Sequence, residues 1–417
     1  MAGIEFTEET RQQAERIGSA DILVGIAGPI APEELRARAE RVLTDLGSSF
    51  ASLRFVFAWP GESGETPMAS LQQNGTAPLT LFPFTPASRA GGDFWSDISA
   101  SQRAVLALGA SLNARACIVI GSDLAALDAQ AIQLFAYAIL ERQCGLAMPL
   151  YPLGKYEGLV NTGILSPMIR ALYGKRARFP LAYDFAASGS MAGRLARSET
   201  GHSGDNPLLW PVAVAAAESP QAAIGQAYLN VHHEAATQAL DLSTVLAQIV
   251  GSLFHDMETY APQWQRVRGS QPSPAWGSPP AHQGDGAAID PQPMLDSFLL
   301  GSKNLDEVWR LVLPPNPMLE LRRLTRADAG QFHMPDDLWA TIVYDFALAW
   351  RLRTISRGHL LGALTPLYLG WVASYVREVS SLAPAAVEQR LEQFARAWEE
   401  KKPYLLSRWR WPDRFIP

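Results

Sequence analysis

Cysteine is scarce in this chain of 417 residues: Cys117 and Cys144 are the whole supply. So few exclude a disulfide framework and a cysteine-based zinc site of the usual spacing. Both lie in apolar stretches, where cysteine serves as a small buried side chain. Long apolar runs are missing too. The opening "MAGIEFTEETRQQAERIGSA" has no apolar signal core. The most apolar long segment, "HLLGALTPLYLGWVASYV" (359–376), is short and is interrupted by Thr365, Pro366 and Ser374, so it reads as a buried helix and not a membrane span. These absences predict a soluble, cytoplasmic protein with no transmembrane segment. Charged residues make up only 18% of the chain and the formal net charge is −6, which leaves no basic field to attract nucleic acid or anionic lipid. The local exception is "YGKRARF" (173–179), a candidate basic pocket. There is no internal repeat of solenoid period. No Cys/His or Ser/His arrangement marks a nucleophilic hydrolase or lyase.

What is present is a chain with 48% hydrophobic residues, enough for a well-filled core and about two or three domains. Its first part alternates strand-like and helix-like runs. "DILVGI" (21–26), "LRFVFAW" (53–59), "LTLFPF" (79–84), "ACIVI" (116–120) and "GLAMPLY" (145–151) read as strands. Helical patterns over 32–47, 101–113, 128–142 and 160–174 lie between or after them. Such alternation predicts an α/β domain, a mostly parallel sheet covered on both faces, over 1–240. The remainder, 241–417, predicts an all-helical domain. It begins with a long amphipathic helix (242–267), continues through a Pro/Gly-rich connector (268–293), and adds helices at 303–312, 335–353, 358–378 and 384–406.

One strand carries a functional question. After Ala116–Ile120 comes the turn Gly121-Ser122-Asp123, which places a carboxylate where ligands of parallel sheets collect. A carboxylate there suits a divalent cation that neutralises a diphosphate leaving group. Ser and Asp ahead of a helix are equally the residues of an N-cap. Asp184 in "LAYDF" reads on its own as a cap for the helix after it, and the pair His232-His233 in "LNVHHEA" (229–235) is either solvated surface at a strand exit or a metal ligand.

"YPLGKYEGLVNTGILSPMIRALYGKRARFPLAYDFAAS" (151–188), "QALDLSTVLAQIVGSLFHDMETY" (238–260) and "DDLWATIVYDFALAWRLRTISRGHLLGALTPLYLGWVASYV" (336–376) resemble bacterial glycosyltransferases related to glucosyl- and mannosyl-3-phosphoglycerate synthases. "ADILVGI" (20–26) and "ARACIVIGSDL" (114–124) extend the resemblance over nearly the whole chain. It implies a Rossmann-like GT-A domain with a helical C-terminal part, and transfer of a hexose from a nucleoside diphosphate sugar to a small acceptor or glycan. The transfer is metal-assisted, with Mg²⁺ or Mn²⁺, and retains the anomeric configuration. On this resemblance Asp123 and His233, with His232 as the fallback, are metal ligands, and Asp184 is the acid at the sugar pocket. Arg103, Ser122, Lys155 and Tyr156 contact the nucleotide.

The chain departs from the resembled pattern on the donor side. "IAGPIAPEE" (26–34) has neither the Tyr nor the Asn of the loop after the first strand, and "FVFAWPGESGET" (55–66) offers Glu62 and Glu65 only after Trp59-Pro60. "SASQRAV" (99–105) replaces a Gly-Lys-Gly-like start, with Arg103 as the substitute cation, and Gly121 replaces the first acid of the triplet. Leu159, Asn161 and Thr162 stand where phosphoglycerate-using relatives place acceptor contacts, without the arginine expected there. These losses predict an alternative role, a catalytically degenerate fold kept as a binding or regulatory partner of an intact paralogue or in a homo-oligomer. The aromatic end "YLLSRWRWPDRFIP" (404–417) is either an interface anchor for such a partner or a segment packed on its own domain.

Overall fold

The computed structural model describes residues 6–28, 30–61, 68–70, 78–85, 94–198, 208–231, 241–279 and 289–410. The chain forms two compact units, neither of them a single stretch. The first comprises Met1–Pro152, Ala177–Ala235 and Pro272–Ala281, and the second Leu153–Arg176, Ala236–Gln271 and His282–Pro417. A single cut near 240 therefore misses two exchanges: the segment 153–176 belongs to the helical unit, and part of the connector belongs to the sheet.

The first unit is α/β. Its strands are β1 (Ile22–Ile26), β2 (Phe55–Pro60), β3 (Met68–Ser70), β4 (Leu79–Phe84), β5 (Ala116–Ile120), β6 (Leu146–Leu150), β7 (Phe185–Ser188), β8 (Ile224–Tyr228) and β9 (Ala275–Trp276). They form one mixed, mostly parallel sheet in the order β3-β4-β2-β1-β5-β7-β6-β8-β9. β1 and β5 are buried throughout, as apolar runs such as Ile-Leu-Val and Ala-Cys-Ile-Val-Ile require, because helices cover both faces of the sheet. Helix Pro32–Leu46 buries Leu35, Ala39, Val42, Leu43 and Leu46, one stripe at helical spacing, into the core that also holds Ile22, Val24 and Ile118.

Two features of the sheet position the site. From β1 the chain builds β2 and β4 on one side and then returns to place β5 on the other, so the carboxyl ends of β1 and β5 flank a topological switch point. β7 is antiparallel to both its neighbours, β5 and β6. The start of β7 consequently lies beside the ends of β5 and β6.

Some elements differ from the sequence reading. Asp184 precedes a strand, not a helix. The strand before the His pair is β8, which ends at Tyr228. The connector contributes β9, paired in parallel with β8. Helix Gln292–Asn304 occupies the connector's end, and helix Pro315–Leu324 follows helix Asp306–Val312. Both unforeseen helices carry prolines in their first turn, where no backbone N–H is needed.

Among its described residues the second unit is helical apart from an isolated bridge between Lys175 and Gln271. Its centre is helix Asp336–Leu352, buried continuously from Leu338 to Trp350. Helices Leu242–Thr259, Arg357–Val379 and Pro384–Arg410 accompany it. Among the described residues no helix is long and apolar enough to cross a membrane.

Candidate functional site

The site is the edge of the first unit where β5 and β6 end and β7 begins. Ser122 comes close to the loop after β1: a Cβ at Gly28 would stand 2.3 Å from Ser122 Cβ, so the approach needs a glycine there. Leu124 takes a left-handed backbone, φ 57°. Its side chain is buried while Ser122 and Asp123 are exposed.

Asp123 accepts a hydrogen bond at Oδ1 from the Ala125 amide, 3.1 Å. This is a local turn and not a helix cap. The cap of helix Ala129–Ala136 is Asp128, whose Oδ1 accepts from the Ala131 amide at 2.9 Å. Asp184 is not a cap either, since Ser188 caps the helix after β7, Gly189–Arg197, by accepting from the Met191 amide.

Asp184 is fully buried. Its Oδ1 accepts from the Gly121 amide at 2.8 Å and its Oδ2 from the Tyr151 hydroxyl at 2.8 Å. The Asp184 amide in turn donates to the Tyr151 oxygen at 3.3 Å. Burial, and then the adjacent Asp184 carboxylate, push the Tyr151 phenol well above its usual range. Tyr151 packs edge-on against Phe179, with centroids 5.1 Å apart.

Tyr183 lies nearby and stacks on Trp95, with ring centroids 5.4 Å apart and planes 13° apart. Burial raises its phenol to about 12, with the charges of Asp123 and Asp184 adding to the shift. Gln102, on the helix that carries Trp95, donates from Nε2 to the Ala182 and Tyr183 carbonyls at 3.1 and 3.4 Å. Tyr151, Tyr183, Trp95 and Gln102 were not singled out in the sequence. The available signal was an aromatic at each strand boundary, Tyr151 just after β6 and Tyr183 just before β7.

Arg103 is buried and donates from Nη1 to the Ser198 carbonyl and hydroxyl, each at 3.2 Å, which ties it to the end of helix Gly189–Arg197. Lys155 and Tyr156 belong to the helical unit. There Lys155 Nζ donates to the Ser380 carbonyl at 2.9 Å and lies 5.4 Å from the Tyr156 ring centroid. Of the basic stretch 173–179, Arg176 bonds Ser270 and Glu392 within the helical unit. His232, His233, Glu62 and Glu65 lie outside the described residues. Among the described residues no group of three or more His, Cys, Asp or Glu could hold a metal ion.

No family model matches the chain, and no curated protein matches it.

Proposed function

We propose that the first unit is a nucleotide-sugar-binding domain of the GT-A type, and that the chain transfers a hexose from a nucleoside diphosphate sugar to a small acceptor or glycan with retention of configuration. The observation that carries the reading is Asp123: an exposed carboxylate at the carboxyl end of β5, beside β1, at the switch point of a mixed sheet. The antiparallel β7 between β5 and β6 supports it by bringing the buried Asp184 beneath the turn that carries Asp123, where its Oδ1 accepts from the Gly121 amide.

Asp123 by itself does not make a free-standing metal site, and the described residues group no three potential ligands together. It does fit a cation that arrives on a diphosphate, because Mg²⁺ and Mn²⁺ then take most of their oxygens from phosphate and water. Such a cation supplies charge neutralisation at the leaving diphosphate. Asp123 would be its protein ligand, with His232 and His233 as the other candidates.

Thermal denaturation with UDP-glucose or GDP-mannose and Mn²⁺ tests the reading. Binding at a ligand concentration a hundredfold above Kd stabilises the fold by about 2.7 kcal/mol. The melting temperature should rise in the wild type and not in Asp123→Asn. No rise with any nucleotide sugar overturns the proposal.

A second reading, binding without transfer, is favoured by a specific pair of observations. Gly121 contributes no side chain to the turn, and the Asp184 carboxylate is sealed behind it. Nucleotide binding without measurable transfer to sugars or small acids selects this reading.

A further inference from the structure

Asp184 has no access to solvent, so it touches no donor sugar as the edge is arranged. What it touches is the backbone of the turn that presents Asp123. We propose that Asp184 and Tyr151 are positioning residues, a buried couple that fixes the Gly121–Asp123 turn in the orientation needed to receive a nucleotide diphosphate. The proposal rests on the reading of this edge as a nucleotide site, although its first measurement does not.

Three segments meet in the couple. Gly121 follows β5, Tyr151 follows β6, and Asp184 precedes β7. The Gly121 amide and the Tyr151 hydroxyl each give a hydrogen to a different oxygen of one carboxylate, both at 2.8 Å. The Asp184 amide closes the loop back to the Tyr151 oxygen. Each of these distances is that of a well-formed hydrogen bond. A buried carboxylate with hydrogen bonds on both oxygens resists displacement, because moving either donor exposes an unpaired charge in a dry interior. Gly121 is thereby pinned, and with it the place from which Ser122 and Asp123 project.

The position of Asp123 matters more than its mere presence. A ligand group displaced by about 1 Å loses much of its contribution to binding, and such groups are held by neighbours that touch no ligand. Trp95 and Gln102 fix Tyr183 from the other side, so the Asp184 backbone is itself held.

The experiment uses the full chain and three variants. Tyr151→Phe removes one hydrogen bond and keeps the ring, and Asp184→Asn keeps an acceptor for the Gly121 amide while removing the charge. Asp123→Asn is the control, because it leaves the couple intact. Hydrogen exchange is followed at the Gly121 amide, and the Kd of Mn²⁺-UDP is measured by calorimetry. In Tyr151→Phe the Gly121 amide should exchange roughly tenfold faster, and Kd should rise about tenfold, with a fall in melting temperature from the lost buried hydrogen bond. Asp184→Asn should give a smaller change of both in the same direction. Asp123→Asn should abolish nucleotide binding and leave Gly121 exchange unchanged. Unchanged Gly121 exchange in both Tyr151→Phe and Asp184→Asn overturns the couple. Faster exchange with unaltered Kd also overturns it, by leaving a purely structural contact. If the wild type binds no Mn²⁺-UDP or other nucleotide, the nucleotide reading fails, and the positioning role for nucleotide falls with it. The exchange result then still decides whether the couple pins the turn.

Discussion

The Tyr173 hydroxyl donates to Asp256 Oδ2 across 2.6 Å, in the interior of the helical unit. The other oxygen of the same carboxylate, Oδ1, is buried without a hydrogen-bond partner. Burial pushes the Asp256 carboxyl up to about 7, against the lowering effect of the Tyr173 bond. The folded state therefore holds a proton that the unfolded chain, near 3.8, releases. Stability from this group is fully present below that lower value and is lost as pH rises towards about 7, by an amount on the order of 3–4 kcal/mol. Asp256→Asn has no proton to lose, so its stability should be flatter between pH 4 and pH 7 than that of the wild type. Urea unfolding at several pH values measures the difference, and equal slopes would refute it.

Lys402 sets the opposite limb. Its Nζ donates to the carbonyls of Leu172 and Val267 at 2.8 and 3.0 Å, deep between helices of the same unit. Burial, with Arg268 adding repulsion and Glu399 opposing, lowers its ammonium to about 7. A depressed cation contributes stability that is present above the ordinary lysine range and lost as pH falls to about 7. Together with Asp256 it predicts a trough of stability near neutral pH. Lys402→Met should level the alkaline side of the trough between pH 7 and pH 10, as read by melting temperature, and leave the acid side unchanged.

Gly163 sits in a helical turn of the 153–176 segment, against two tryptophans. A Cβ there would stand 2.3 Å from Trp371 Cζ3, while Trp339 Nε1 donates to the Gly163 carbonyl at 2.8 Å. The tryptophans stack on each other with centroids 6.1 Å apart, so neither ring retreats cheaply. Gly163→Ala gains helix propensity worth up to about 1 kcal/mol, but overpacking costs about 1–3 kcal/mol. The expected outcome is a net loss of stability and red-shifted tryptophan emission in equilibrium denaturation. A stabilised variant would mean that the aromatic stack yields.

Three of the parallel strands were legible in the sequence because burial on both faces writes them as continuous apolar runs. β1, β2 and β5 are such runs. β7 was not: Phe185-Ala-Ala-Ser188 is short, small-residued and pressed between two neighbours, with no periodicity to detect. Its antiparallel direction, which decides where Asp184 goes, is a property of tertiary pairing. Asp123 stood out because a strand exit carrying an acid is a local pattern. The Gly121–Asp184 and Tyr151–Asp184 bonds span 63 and 33 residues, and no local pattern encodes them. Arg103 was misleading for the reverse reason, since a cation on a helix gives no sign that Ser198 will enclose it.

Arg170 offers the sharpest test of the helical unit's packing. Only 5% of its side chain is exposed, yet it bonds two carboxylates: Nη1 and Nη2 reach Glu392 at 2.7 and 3.0 Å, and Nε reaches Glu399 at 2.9 Å. The fork thus ties helix Ser166–Tyr173 to helix Pro384–Arg410 at two points. A lysine carries the same charge but cannot divide it among these directions, so Arg170→Lys should lose at least the Glu399 bond. Arg170→Met leaves both acids without the fork. Glu399, at 20% exposure, should suffer more than Glu392 at 41%, because Glu392 reaches water and retains Arg176 at 3.5 Å. Breaking a buried pair from one side costs about 3–5 kcal/mol. Arg170→Met should fall near the lower end of that range because its partners are partly solvated. Adding Glu399→Gln should restore part of the loss, and adding Glu392→Gln should restore less. A double-mutant cycle by urea unfolding measures both couplings, and equal couplings would contradict the burial argument.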